Sequence, residues 1–291
     1  MGLLERLERG EVLVADGATG TWLQNAGLPP GAAPELWNVE RPEAILAMHR
    51  AYLEAGAEII LTNTFGGSRH KLGKAGLAER AEELNHAAVA LARQAAGHNA
   101  LVAGDIGPLG DLLAPLGPVT REQAVEVFAE QGRYLAEGGV DFLLVETMAD
   151  LEEAAAAVEG VRSVTGLPVV CSMSFDTHRR TMMGVRPEQM VERLWPLGLA
   201  AVGVNCGRSL EDNEAALLAA HQANPRAPLW YKPNAGLPRL EGGRTVFDVG
   251  PEEFAAAVAQ APEHGARVVG GCCGTTPDHI RALARALEDR S

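Results

Sequence analysis

Phe142-Leu-Leu-Val-Glu-Thr-Met-Ala-Asp150-Leu-Glu-Glu is followed, after a helical segment that stops at Gly166, by Val169-Val-Cys-Ser-Met173. The two apolar runs do not alternate with polar residues, which predicts strands that are covered on both faces, as in a parallel sheet. Asp150 fits the N-cap of the intervening helix, and Gly166 fits its end. The stretch therefore predicts one unit of strand, helix and parallel strand.

Eight apolar runs of this kind occur along the 291 residues, and segments with helical periodicity separate them. The runs are residues 12–15, 58–61, 101–103, 142–145, 169–173, 201–204, 229–231 and 267–269. Eight strands that alternate with helices predict an α/β protein, a single (β/α)8 TIM barrel. Because no linker rich in Pro, Gly or Ser divides the chain, we expect residues 1–291 to form one domain.

The links that follow the predicted strands are long, at about 25 residues after the first strand and about a dozen or more after four others, against the few residues usual for such loops. TIM-barrel active sites form at the carboxyl ends of the strands, so these βα loops indicate the catalytic face. The predicted strand ends carry polar side chains: Asp16, Thr62, Asn63, Asp105, Glu146, Asp176, Asn205, Cys206, Lys232, Asn234, Cys272 and Cys273.

Three of the four cysteines lie at these strand ends. Cys206 stands in Asn205-Cys206-Gly207, and the pair Cys272-Cys273 is flanked by glycines, whereas Cys171 lies inside an apolar run and is expected in the core. Strands six and eight are two apart around a closed barrel, so their ends can converge on one ion. Zinc favours tetrahedral thiolate coordination, and three thiolates leave one position open, as in catalytic sites.

Other interpretations of the cysteines stay open at this point. A free cysteine is commonly a small buried hydrophobe, and an adjacent pair can form a strained disulfide or a redox relay. A closed structural zinc would make the protein a non-catalytic zinc-binding module, but this needs a fourth ligand with suitable spacing at the rim. The sequence offers no such cysteine or histidine, which favours the catalytic interpretation.

Three thiolates on a divalent cation suit one class of reaction. Their negative charge weakens the Lewis acidity that would generate hydroxide, but the cation still binds an incoming thiol as its thiolate. A free thiol with a pKa of about 8.5 is only a few per cent ionised at neutral pH, so capture on zinc raises the reactive population. The natural reaction is alkyl transfer to a thiol.

Composition excludes several classes of protein. The formal net charge of −13 repels phosphate backbones, and no basic stretch is interleaved with aromatic residues, so nucleic acid is not an expected partner. No apolar run reaches the length that spans a bilayer, and the first residues lack a signal-peptide core. We therefore expect a cytoplasmic enzyme that acts on small molecules and has no membrane partner.

Several motifs lie at or near the predicted strand ends. They are Asp16-Gly-Ala-Thr-Gly-Thr21, Pro34-Glu-Leu-Trp-Asn38, Leu61-Thr-Asn-Thr-Phe-Gly66, Gly104-Asp-Ile-Gly-Pro108, Val145-Glu-Thr147, Asn205-Cys-Gly207, Pro233-Asn-Ala-Gly236 and Gly270-Gly-Cys-Cys-Gly-Thr-Thr-Pro277. Over nearly the whole chain these motifs resemble the homocysteine S-methyltransferase family. They look most like the homocysteine-binding module of cobalamin-dependent methionine synthase.

The resemblance implies that a zinc-bound homocysteine thiolate attacks an activated methyl group and gives methionine. The zinc ligands, and through them the catalytic residues, would be Cys206, Cys272 and Cys273. Homocysteine also brings an ammonium, for which Glu146 assisted by Asp16 is the expected partner, and a carboxylate, for which the turn amides of Gly17 and Ala18 are expected donors. The family further implies that Asn234 occupies the open zinc position when substrate is absent.

The methyl donor is left open by the sequence. The chain has no obvious corrinoid-binding signature, so either methylcobalamin on another domain or partner supplies the methyl group, or a small donor such as S-methylmethionine, S-adenosylmethionine or betaine enters the barrel. Betaine-using relatives typically have Tyr after Thr-x-Thr-Phe, where this chain has Gly66, which argues against betaine. Trp22 and Trp37 lie in the first long loop, where they either cradle a cationic donor or pack the loop.

Overall fold

A computed structural model describes residues 1–176, 178–241 and 244–290. The strands are β1 (Leu13–Val14), β2 (Ile59–Leu61), β3 (Leu101–Ile106), β4 (Phe142–Met148), β5 (Val169–Met173), β6 (Ala201–Cys206), β7 (Leu229–Pro233), β8 (Pro238–Glu241), β9 (Arg244–Phe247) and β10 (Ala266–Val269). Eight of them form one parallel sheet in the order β1-β10-β7-β6-β5-β4-β3-β2. The strands β8 and β9 form a separate antiparallel hairpin.

The helices are α1 (Leu3–Glu8), α2 (Thr19–Asn25), α3 (Trp37–Glu40), α4 (Pro42–Glu54), α5 (Arg69–Gly73), α6 (Ala81–Ala96), α7 (Arg121–Gly138), α8 (Leu151–Val164), α9 (Pro187–Leu194), α10 (Leu210–Ala223), α11 (Pro251–Val258) and α12 (Pro277–Glu288). Sequence signals account for several starts: Thr120 and Gln123 form a capping box on α7, and the Asp150 carboxylate accepts two amides at the start of α8. Over residues 1–176, 178–241 and 244–290, none of these helices combines the length and apolar character that crossing a membrane requires.

The sheet closes into a barrel because β1 reaches β2 as well as β10. Ala15 bridges Ile59 in parallel orientation. The amide of Asp16 donates to the carbonyl of Ile59 at 2.9 Å, and the amide of Glu58 donates to the carbonyl of Val14 at 2.7 Å. The eight barrel strands lie at the eight predicted apolar runs, so the predicted α/β fold, a (β/α)8 TIM barrel, is confirmed.

The barrel interior is a packed core. One cluster of buried side chains takes a member from every barrel strand, including Phe142 and Trp230, whose ring centroids lie 6.2 Å apart. Leu3 and Leu7 of α1 belong to the same cluster and close the amino-terminal end of the barrel. Since that end is sealed and filled, the opposite, carboxyl end is where the barrel can hold a ligand.

The observed strands differ from the predicted runs mainly at the carboxyl ends. β3, β4 and β6 continue past the apolar residues, and Asp105 pairs with Leu144 while Asn205 pairs with Lys232. Hydrophobic patterning ends where the polar rim begins, although backbone pairing continues through it. The hairpin of β8 and β9 was not predicted, because each of its strands has only four residues.

His49 on α4 gives the fold a specific response to pH. Its side chain is fully buried, neither ring nitrogen has a hydrogen-bond partner in the described part of the chain, and burial lowers its pKa to about 4. In the unfolded chain histidine has a pKa of about 6.5, so between these two pKa values the unfolded chain binds more protons than the folded protein. The free energy of unfolding is therefore unaffected by His49 above about pH 6.5, and it falls as the pH drops toward 4.

We expect His49→Met to reduce this acid sensitivity, because methionine has nothing to protonate. The wild-type protein should lose on the order of 3 kcal/mol of unfolding free energy through His49 between pH 7 and pH 4, and the variant should not. Denaturant unfolding at a series of pH values measures the difference, and His98→Met, which changes an exposed histidine, is the control. Equal pH dependence in wild type and His49→Met would contradict the assignment.

Candidate active site

A cavity of about 640 Å³ opens at the carboxyl end of the barrel. Residues on or just after β1, β2, β3, β4, β6, β7 and β10 line it, and they include Glu146, Thr147 and the three cysteines of the rim. Most of the predicted site residues therefore meet in one space. Two of them, Asp16 and Asn234, lie beside the cavity without lining it.

The three cysteine sulfurs converge as the strand order requires. Cys206 ends β6, and Cys272 and Cys273 follow β10, with β7 between the two strands. All three Sγ atoms lie within 4.8 Å of one another, and those of Cys206 and Cys272 are 2.9 Å apart. Cys171 is buried on β5 and takes no part, as expected for a core residue.

The three sulfurs do not ionise independently, because neighbouring thiolates repel one another. Hydrogen bonds from Cys206 and Cys272 lower the pKa of Cys273 to about 4. A hydrogen bond from Cys206 favours the thiolate of Cys272, but its hydrogen bond to Cys273, burial and the charge on Cys273 together raise its pKa to about 12. Contact with both neighbours and burial likewise raise the pKa of Cys206. One sulfur ionises readily, and the others need a cation to do so.

The cysteine cluster fits a divalent metal ion. Tetrahedral zinc with Zn–S near about 2.3 Å places its sulfurs roughly 3.8 Å apart, so the three Sγ atoms need only small shifts to bind it. A dication also supplies the positive charge that three thiolates lack. The three side chains offer three ligands, which leaves the fourth position to another group.

Asn205 holds the cysteine rim in an unusual backbone conformation. Thr147 and Cys206 both have left-handed φ values, of 62° and 57°, which is strained for residues with a side chain. The Asn205 Oδ1 accepts from the Thr147 amide at 2.9 Å and from the Ser172 hydroxyl at 2.7 Å. Its Nδ2 donates to the Thr147 hydroxyl at 2.7 Å and to the Cys206 sulfur at 3.5 Å. One buried amide thus fixes both strained positions and a sulfur ligand.

The turn after β1 lies so close to the loop that follows β10 and carries Cys272 and Cys273 that it requires glycine. A Cβ on Gly17 would lie 2.7 Å from the Thr275 hydroxyl and from the Tyr52 ring. The Ala18 amide already donates to the Thr275 hydroxyl at 3.1 Å. Of the two predicted carboxylate donors, both line the cavity, but only the Gly17 amide has no acceptor in the described structure.

Glu146 is a buried carboxylate that faces the cavity. It accepts no hydrogen bond from the described residues, and burial, together with the charges of Cys272 and Asp16, raises its pKa to about 8. Asp105 on β3 lies nearby, where one carboxylate oxygen has no partner in the described residues, and burial and Glu146 raise its pKa as well. Buried carboxyl groups with raised pKa values are common in binding and catalytic sites.

Asp16 is occupied by the protein itself. Its Oδ1 pairs with the Lys232 ammonium at 2.7 Å, its Oδ2 accepts from the Leu61 amide at 2.8 Å, and both members of the ion pair are almost fully buried. Burial opposes the charge on Lys232, but Asp16 and Glu146 outweigh it and raise its pKa. The sequence places Lys232 on the rim, yet nothing in it shows that this lysine reaches Asp16 across the barrel.

Asn234 lies beside the cysteine cluster. Its backbone amide donates to the carbonyl of Cys206 at 3.1 Å, and its side-chain Nδ2 donates to the carbonyl of Gly207 at 2.8 Å. Its Oδ1 is buried without a hydrogen-bond donor in the described chain. An amide oxygen of this kind is available as a ligand.

The two tryptophans of the first long loop pack the loop. Trp22 lies against Tyr52, with ring centroids 6.1 Å apart, and lines a separate hollow. Trp37 is buried on α3 beneath the guanidinium of Arg41. Neither of them lines the cavity that contains the cysteines.

We expect Asn205→Asp to weaken metal binding, because aspartate cannot donate to Cys206 or Thr147 and adds a negative charge beside the sulfurs. Loss of such a supporting residue costs roughly 10- to 100-fold in metal affinity. Competition with a chelator measures the affinity for zinc. Asn85→Asp serves as the control, because it changes another buried amide, which donates to the carbonyls of Gly67 and Ala81. Equal zinc affinity in Asn205→Asp and wild type would remove this role.

The family model for homocysteine S-methyltransferase matches residues 13–287. The chain is 35% identical over 305 residues to methionine synthase of Mycobacterium leprae, a match that covers 98% of this chain and 25% of that protein. It is 33% identical over 310 residues to betaine–homocysteine S-methyltransferase 1 of Rattus norvegicus, covering 98% of this chain and 74% of that one. The chain spans about a quarter of the length of the methionine synthases that it matches.

A solved structure agrees with these relatives. The metallated form of the homocysteine methyltransferase MmuM from Escherichia coli has a TM-score of 0.77 and 28% identity to this chain, and the match covers 99% of each. The resemblance predicted from the motifs is therefore confirmed: the chain belongs to the homocysteine S-methyltransferase family of enzymes.

Proposed function

We propose that the chain, working as one barrel domain over residues 1–291, transfers a methyl group to the thiol of homocysteine and gives methionine. The observation that carries the proposal is the meeting of Cys206, Cys272 and Cys273 at a cavity that also holds a free buried carboxylate. Zinc bound by these cysteines would keep one position open and hold the incoming thiol as a thiolate, which remains nucleophilic.

The other groups of the cavity suit the amino-acid part of homocysteine. Glu146 would ionise and bind the ammonium, for which it is buried and unpaired. The Gly17 amide would donate to the carboxylate. Asp16 would assist only through its charge, since Lys232 and the Leu61 amide already engage its oxygens. Asn234 would take the fourth metal position when homocysteine is absent, because its buried Oδ1 lacks a donor.

The transfer itself needs no further acid or base at the methyl carbon. The thiol would lose its proton to solvent on binding. Its sulfur would then form a bond to the methyl carbon, while the bond from that carbon to the donor breaks and its electron pair stays on the donor. The protein's task is to hold the thiolate and the amino-acid groups of the substrate in a fixed orientation.

The donor that we favour is methylcobalamin carried by another domain or partner, as in the homocysteine module of a cobalamin-dependent methionine synthase. The match to one quarter of the Mycobacterium protein supports this choice. The alternative is a free-standing enzyme that uses a small donor, which the end-to-end match to MmuM supports.

A donor panel tests the function. Homocysteine is combined with free methylcobalamin, S-methylmethionine, S-adenosylmethionine or betaine, and methionine is measured. We expect methionine from methylcobalamin, about one zinc per chain, and loss of both on chelation or in Cys272→Ser, because two thiolates hold the metal poorly. Cys171→Ala, which changes the core cysteine, should keep both. Full activity in metal-free protein or in Cys272→Ser would refute the proposal.

A second experiment concerns the substrate. Glu146→Gln keeps the size of the side chain but removes the charge that binds the ammonium, so we expect homocysteine affinity to fall by about tenfold or more while zinc content stays unchanged. Calorimetric titration measures the affinity. Glu153→Gln alters another buried glutamate, which accepts from the Leu109 amide outside the cavity, and should leave the affinity unchanged. Unchanged affinity in Glu146→Gln would exclude this residue from the site.

A further inference from the structure

The β2–α5 loop and helix α5 bring one aromatic ring and one ammonium together at the cavity. Among the described residues that line the cavity, Phe65 is the one aromatic side chain. The Lys71 Nζ lies 4.4 Å from the centroid of this ring, in the position of a cation–π contact. An edge of the ring packs on Gly107, where a Cβ would come within 2.6 Å.

The Lys71 ammonium is held there without a hydrogen-bonding partner. Within the described residues it forms no hydrogen bond or ion pair, whereas the neighbouring Lys74, which also lines the cavity, binds the Gly110 carbonyl at 2.9 Å and Asp111 at 2.7 Å. Burial lowers the pKa of Lys71, and the carboxylates of Glu35 and Asp105, which favour the charged form, offset this effect only in part. The ring face therefore carries a half-buried cation that belongs to the protein.

Methyl donors fall into two groups by charge. Sulfonium and quaternary ammonium donors carry a fixed positive charge beside the methyl group, and proteins recognise such groups by stacking them on aromatic rings. Corrinoid-bound methyl has no such onium centre. An onium donor in this cavity would have to displace Lys71 from Phe65 or lie beside it with like charges in contact.

We propose that Lys71 is a specificity-determining residue that excludes onium methyl donors by occupying the aromatic face of Phe65. This inference rests on the proposed methyl transfer, since it concerns which donor the same cavity accepts.

The binding test uses two probes of similar size, tetramethylammonium and the uncharged tert-butanol. Lys71→Met keeps a long side chain but removes the charge, so tetramethylammonium should bind about tenfold or more tighter than to wild type, with little change for tert-butanol. Lys71→Arg keeps the positive charge, so it should bind tetramethylammonium as weakly as wild type. The double variant Phe65→Leu with Lys71→Met should lose the gain, because the ring that receives the cation is absent.

Lys74→Met is the matched control, because it removes the same charge from the cavity wall without touching Phe65. Equal tetramethylammonium binding by wild type and Lys71→Met would overturn the proposal, and so would an equal gain in Lys74→Met, which would mean that only the general charge of the cavity matters.

Catalysis gives a second readout. The ratio of methionine formed from S-methylmethionine to that formed from methylcobalamin should rise in Lys71→Met, and an unchanged ratio would count against donor selection. If wild type makes no methionine from any donor, the proposed function fails, while the tetramethylammonium comparison still decides whether Lys71 blocks the ring.

Discussion

The buried ion pair between Asp16 and Lys232 joins the parts of the barrel on which the site depends. It links the end of β1 to β7, and the second Asp16 oxygen accepts from the Leu61 amide on β2. The Asp16 carbonyl also accepts from the Gly271 amide at 3.1 Å, directly before the paired cysteines. Breaking such a pair by removing one partner typically costs about 3–5 kcal/mol, because the other charge is left buried alone. The pair thus fixes the floor of the cavity and the path of the cysteine loop together.

Two carboxylates near the floor have different environments and therefore different uses. Asp16 is paired with Lys232 through one oxygen and accepts the Leu61 amide with the other. Glu146 on β4 lines the cavity, is buried without a partner in the described residues and has a raised pKa. Neighbouring acids whose surroundings separate their properties commonly divide structural and chemical roles. Here one carboxylate organises the barrel and the other remains available to a cation.

Sequence patterns predict the barrel well, because buried parallel strands are apolar on successive residues and the chain alternates them with capped helices. They also place Cys206, Cys272 and Cys273 on one rim, since strand order and strand ends follow from the fold. They do not reveal that Lys232 reaches Asp16, which lies 216 positions away along the chain. Nor do they show that Thr275 occupies the Ala18 amide or that Lys71 lies on Phe65, because these contacts depend on side-chain directions within loops. The β8–β9 hairpin escapes prediction because each of its strands has only four residues.

The origin of the sulfur cluster from β6 and β10 has a consequence for biogenesis. Cys206 and Cys272 are 66 positions apart, and the second of them follows the last strand to enter the barrel. On the ribosome, the three sulfurs cannot come together until that strand has emerged and docked between β1 and β7. Any ion that the cluster holds would therefore be bound late, after the barrel has closed.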